Sequence, residues 1–285
     1  MNENIFSEAE KKNNSYQKTA LFSPTYFNEP QSFSFTAQIL IILTAALNII
    51  FIGLVISSLF IESSVTDIIN VFSSVNILSA FKITFFSLSI SASLTVLLGT
   101  PFSYLISRRN QYINKILNIL ISLPLLLPPS ITGLALLLSF GSRGILASLT
   151  SNLVFSFTAL IIVQLFVMLP LFTLTLKNSF SSIDENIIEA AVVEGAAEND
   201  LLFKVYLPLS LRGFTTALII SILRAAGEFG ATIIFAGNMS GKTQTLTTAI
   251  YSLTQTNLSQ AVALAVIMIS AFLLPLFLVE FRIKD

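Results

Sequence analysis

Six stretches of this chain stay apolar for about twenty residues or more, the length that carries a helix across a bilayer's hydrocarbon core. They run approximately Ala37–Ile61, Ile83–Ile106, Ile116–Phe140, Leu153–Leu176, Leu209–Ala236 and Ala261–Phe281. Six runs of this length predict an all-α polytopic membrane protein with six transmembrane helices. Composition agrees: 54% of residues are hydrophobic and 11% charged, where soluble domains carry about 25% charged residues.

Chemistry is bounded by what is missing. The chain has no Cys, His or Trp, which removes disulfides, thiolate nucleophiles, Cys/His zinc sites, His-dependent triads and haem ligation by His or Cys. Lys+Arg and Asp+Glu both number 15, so no basic footprint argues for nucleic acid. No nucleophile–base pair supports an intramembrane enzyme. No cofactor or metal is expected. Moving a solute fits this inventory better than transforming one.

Orientation follows from the basic residues of short loops. Lys11, Lys12 and Lys18 precede the first span, and Arg108, Arg109 and Lys115 follow the second. Lys177, Lys204 and Arg212 follow the fourth, and Arg282 and Lys284 close the chain. The alternate connections hold only Lys82, Arg143 and Lys242. Both termini are therefore expected in the cytoplasm, with residues 1–35 a disordered tail lacking a cleavable signal, and 36–285 the membrane domain. Ser63–Leu78 has a loosely helical apolar pattern suited to an interfacial helix.

The connection Lys177–Pro208 is far longer than neighbouring helices require. Ser182 with Glu185 reads as a capping box opening a helix through Ala191 and Val192, and Gly195 as its end. Asn199 or Asp200 is placed to cap a second short helix, and Pro208 to open the fifth span. The small Ala190 and Ala191 beside a glycine hinge make a compact knob for a partner's groove; a plain solvated hairpin is the alternative.

Within the fifth span stand the ionisable residues Arg224 and Glu228, four apart, with Ser221 and Thr232 extending one polar line. Ala226/Gly230 and Gly227/Ala231 form small-residue pairs suited to close helix approach. The pair either lines a path or merely neutralises itself to lock packing. Pro124, Pro128 and Pro129 break the third span, and a helix restarting near Ser130 and Thr132 would offer unpaired N–H groups and hydroxyls to an anion. A simple proline kink is the other reading. Ala236–Thr243 mimics a phosphate loop, but it leaves a membrane helix instead of a buried strand, so no nucleotide site is expected there.

Glu189-Ala190-Ala191, three residues, Gly195, nine residues, then Val205-Tyr206-Leu207-Pro208 resembles the EAA loop of ABC-importer permeases, with Val205 in place of the usual Ile. Arg224–Thr232, Phe235–Asn238, Gly241–Leu246 and Ala249–Tyr251 resemble the molybdate branch of that superfamily. So do Gly99-Thr100-Pro101 and Leu127–Gly133; Ser240 replaces a usual Pro, and Lys242 stands where Arg is common. The resemblance implies a six-helix type I ABC importer permease in the cell inner membrane, working as a homodimer with cytoplasmic ATP-binding subunits and an extracytoplasmic molybdate-binding protein. It implies ATPase coupling through Glu189, Ala190, Ala191, Gly195, Leu207 and Pro208; the polar line and the restarted helix make Ser130, Thr132, Arg224, Glu228 and Thr232 the candidates for a path or gate. Tungstate or sulfate as the substrate, or a carrier or channel acting without an ATPase, remain open alternatives.

Overall fold

The computed structural model describes residues 34–108, 111–147, 150 and 153–282, and every regular element among them is helical. The expected N-terminal tail, Arg109 and Lys284 lie outside the described residues. Helix α1 (Phe35–Glu62) is predominantly apolar over its 28 residues and is long enough to span a bilayer by itself. The chain then continues through α2 (Val65–Ser73), α3 (Val75–Arg108), α4 (Gln111–Leu126), α5 (Pro129–Phe140) and α6 (Phe157–Ser181). Next come α7 (Glu185–Val193), α8 (Glu198–Leu209), α9 (Leu211–Ala226), α10 (Leu246–Thr256) and α11 (Leu258–Arg282). Four helices, α1, α3, α6 and α11, are long and apolar enough to cross a membrane. Six spans result if the bent pairs α4/α5 and α8/α9 each count as one.

The centre of the second compact unit, residues 58–285, is the pairing of α3 with α6. Small residues let the two helices meet. A Cβ on Gly99 would stand 2.6 Å from Phe172 Cδ1. Buried hydroxyls then close the contact: Ser103 Oγ lies 2.6 Å from Gly99 O and 3.1 Å from Thr173 O. Gln164, 2% exposed in α6, donates to Ser87 Oγ at 2.9 Å and accepts from Ser91 Oγ at 3.0 Å. In a bilayer, apolar surface gives helices no reason to prefer each other over lipid, so packing and such bonds set the partner. Each bond is nonetheless modest, about 0.6 kcal/mol on average. Gln164→Leu is therefore expected to lower thermal stability only slightly, by about 1 kcal/mol for the two bonds, because Ser87 Oγ keeps Thr84 O and Ser91 Oγ keeps Ile161 O as acceptors; thermal unfolding of the purified protein reads this directly.

Three expectations need correction. The interfacial helix read over Ser63–Leu78 is a nine-residue helix, α2, with Val71 fully buried in a cluster with Ala263 and Leu264 of α11. Its remaining residues from Val75 onward belong to α3, whose 34 residues span about 51 Å. The fifth span is not one helix over Leu209–Ala236: α9 ends at Ala226, Gly227 to Phe229 are non-helical, and a wide turn follows over Thr232–Ala236. The small-residue pairs consequently do not lie on one continuous helix. Gly230 instead approaches Pro129, where its Cβ would fall 2.8 Å from Pro129 Cβ.

Candidate functional site

The helix predicted to carry the knob is α7, but its cap differs from the expected one. Helix α6 runs on to Ser181, five residues past the predicted end, so Ser182 terminates α6 and donates to Ser179 O at 2.8 Å. Asp184 caps α7 in its place, accepting from Asn186 N at 3.0 Å. The far end closes as expected at Gly195, whose φ is +88°. Gly195 N donates to Val192 O and Ala196 N to Ala191 O, both at 3.0 Å, the paired bonds of a left-handed glycine stop. On α7, Glu189 and Ala190 are exposed while Ala191 packs on the cluster of Phe180, Leu201 and Tyr206. Val193 is 88% exposed at the tip. A helix held on one face and bare on the other can dock without losing its own support.

Neither Asn199 nor Asp200 caps α8; Ala197 stands at its start without a side-chain bond, and Asp200 pairs with Lys204 at 2.6 Å. Pro208 does not open the fifth span either. It lies inside α8, where Leu207 N reaches back five residues to Leu202 O, a local widening that makes room for a proline ring. The chain turns at buried Ser210, and α8 meets α9 at 78°. Leu207 and Pro208 line an apolar groove of about 740 Å³ with Thr100, Pro101 and Phe203. Glu189 lines a different cleft, about 610 Å³, with Arg108 and Tyr206.

One cluster was missed by sequence reasoning. Tyr104 OH donates to Glu198 Oε2 at 2.5 Å, and Arg108 Nη1 reaches both that oxygen (2.9 Å) and Tyr104 OH (2.8 Å). Tyr104 stands edge-on to Tyr206, and Tyr206 to Phe180, tying the end of α3 to the connection that carries α7. The i,i+4 spacing of Tyr104 and Arg108 was visible, but their partner lies 90 residues away.

The second set of residues gathers where two helices break. Helices α4 and α5 meet at 107° across Leu127-Pro128, so the third span is a sharp elbow; Pro124 sits within α4 without ending it. Helix α5 restarts at Pro129 with no side-chain cap, Ser130 exposed and Thr132 buried. Gly133 and Gly230 let this elbow press on the break after α9: a Cβ at Gly133 would meet Ala231 Cα at 2.9 Å. There Arg224 Nη1 bonds Glu228 Oε2 at 2.8 Å, and Ala231 N donates to Glu228 Oε1 at 3.0 Å. The Glu228 side chain is 2% exposed and that of Arg224 44%. Thr132, Arg224 and Glu228 line one cavity of about 50 Å³. Thr232 is buried one turn on, its hydroxyl 3.4 Å from Glu228 O, while Ser221 lies buried inside α9. Ser130, though adjacent in sequence, is not among the cavity's lining residues.

Beyond the break, Gly237 and Gly241 take positive φ and Thr243 Oγ1 accepts from Met239 N, folding a tight loop before α10. No strand precedes this loop, only the wide turn Thr232–Ala236, which removes the phosphate-loop geometry.

Residues 96–283 match the family described as the binding-protein-dependent transport system inner membrane component. The chain belongs to this family. It is a multi-pass inner-membrane permease subunit, not itself an ATPase. The probable transport system permease protein NifC of Clostridium pasteurianum is 33% identical over 269 residues, covering 92% of this permease and 94% of NifC. The molybdenum transport system permease protein ModB of Azotobacter vinelandii is 32% identical over 179 residues, covering 61% of this permease and 79% of that protein. ModB of Escherichia coli K12 is 32% identical over 205 residues, covering 68% and 89%. Among solved structures, a chain of the bacterial alginate ABC transporter superposes with TM-score 0.64 at 17% identity, covering 86% of this permease and 92% of that chain. A chain of the inward-facing MetNI methionine ABC transporter gives 0.59 at 16%, covering 73% and 95%. These structures establish that the permease has the fold of ABC importer permeases.

Proposed function

We propose that this permease carries molybdate into the cell, driven by ATP hydrolysis on separate cytoplasmic subunits. The observation that carries the substrate is the similarity to molybdenum permeases from several bacteria at 32–34% identity. Two copies form the path between them, an external binding protein delivers the anion, and both termini face the cytoplasm with α7. Glu189, Ala190 and Gly195 dock on the ATPase, and Ala191 couples that contact to the bundle through its packing on Phe180 and Tyr206; Leu207 and Pro208 support the bend behind them. Ser130, Thr132, Arg224, Glu228 and Thr232 form the path or its gate.

The substrate is tested by uptake of labelled molybdate into vesicles holding the permease with its ATPase and binding protein. ATP-dependent uptake that excess tungstate or sulfate reduces only in proportion to its own affinity supports the proposal. Uptake of sulfate with none of molybdate would reassign the substrate. The orientation has its own test, helped by the absence of native cysteine. Glu189→Cys should react with a membrane-impermeant maleimide only after the inner face is opened; labelling of intact cells would reverse the topology.

A further inference from the structure

We propose that Arg224 is the group that meets the oxyanion at the break after α9, and that Glu228 is a positioning residue that keeps this contact weak enough for transit. The proposal deepens the oxyanion-importer reading above and rests on it. Glu228 accepts on both oxygens, from Arg224 and from Ala231 N, the pattern of an ionised carboxylate. With a 2% exposed side chain, it is fixed by both the break and α9. Arg224 is held by one edge only. Its Nη1 goes to Glu228, no other bond to its guanidinium is found among the described residues, and its side chain remains 44% exposed. A guanidinium carries five donors in a rigid plane, so an edge is left to pair with a second oxyanion. Facing it in the same cavity are Pro124, Leu127, Pro129 and the 3% exposed Thr132, whose hydroxyl can add a donor to an anion. At about 50 Å³ the cavity has room for a few waters.

Neutralisation is what makes this a waypoint. A bare arginine in a low-dielectric site would hold a dianion tightly, whereas conduction requires binding that is easily reversed. Glu228 offsets most of the charge of Arg224 and leaves mainly its geometry. Lysine cannot substitute, because one ammonium bonded to Glu228 has no second planar edge.

The test is equilibrium binding of labelled molybdate to the purified permease–ATPase complex without binding protein, with uptake measured in parallel. Glu228→Gln, which frees the charge of Arg224, is expected to raise molybdate affinity at least tenfold while slowing uptake. The double variant Arg224→Gln/Glu228→Gln should lose that gain. Unchanged affinity in Glu228→Gln, or tight binding that survives in the double variant, overturns the proposal. Should Glu228→Gln fail to assemble, Arg224→Lys, which keeps Glu228 paired, decides: at least fivefold slower uptake with ATP hydrolysis retained supports it, and wild-type uptake overturns it. A wild-type complex that takes up sugars or amino acids but no oxyanion would instead defeat the reading on which this one rests.

Discussion

Replacing Gly195 with valine is expected to cut molybdate uptake at least tenfold while leaving the helical bundle folded in the membrane. The effect is conformational, since a Cβ at this position meets nothing within 4 Å. At φ +88°, however, an L-residue places its Cβ against the backbone at a cost of about 1–2 kcal/mol, and β-branching raises that cost. Relieving the strain opens the bonds from Gly195 N to Val192 O and from Ala196 N to Ala191 O. Helix α7 then frays at the end that carries exposed Val193, and Ala191 loses its register on Phe180 and Tyr206. Because α7 lies outside the α3–α6 contact, bulk stability should move by less than about 1 kcal/mol. Gly195→Asn is the informative companion, as Asn tolerates the left-handed region and should retain most transport. Equal uptake by the valine variant and wild type would remove α7 from the coupling route.

Gly133→Val should have the largest effect on stability. Its Cβ would fall 2.9 Å from both Ala231 Cα and Ile234 Cβ and 3.0 Å from Ala231 O, and backbone atoms cannot rotate aside as a flexible side chain can. Overpacking of this kind costs about 1–3 kcal/mol, and two further methyls in a buried contact place valine at the upper end. The elbow before α5 would be pushed off the break after α9, separating Thr132 from the Arg224–Glu228 pair. A fall of about 5 °C or more in thermal unfolding of the purified protein is expected, with uptake lost in parallel. Gly227→Ala, whose new Cβ would make only ordinary contacts at 3.7 and 3.8 Å, serves as the control with near wild-type stability.

The same residues mark where the amino-acid sequence could be read and where it could not. Hydropathy alone located the spanning segments, because the cost of exposing polar backbone to lipid leaves helices as the available form for such runs. Pro128 and Pro129 announced the elbow, since each removes a backbone donor. The break after α9 has no proline. Its cues were Gly227 and Gly230, which a helical reading accepts as packing residues as readily as it accepts them as an interruption. The capping error had a specific origin: Ser182 and Asp184 are both good caps, and only the extension of α6 to Ser181 decides between them. Tyr104, Arg108 and Glu198, and likewise Gln164 with Ser87 and Ser91, are joined across 70 residues or more. Local pattern carries no information at that separation.

Transport by this permease requires an energy source that the permease itself does not supply. Purified protein should be reconstituted in sealed vesicles twice, once alone and once with its ATPase and binding protein, and accumulation of labelled molybdate followed with and without ATP. Uphill accumulation is expected only in the complete system and only with ATP, with none by the permease alone under any imposed ion gradient. Concentrative uptake by the permease alone, driven by a proton or sodium gradient, would contradict this.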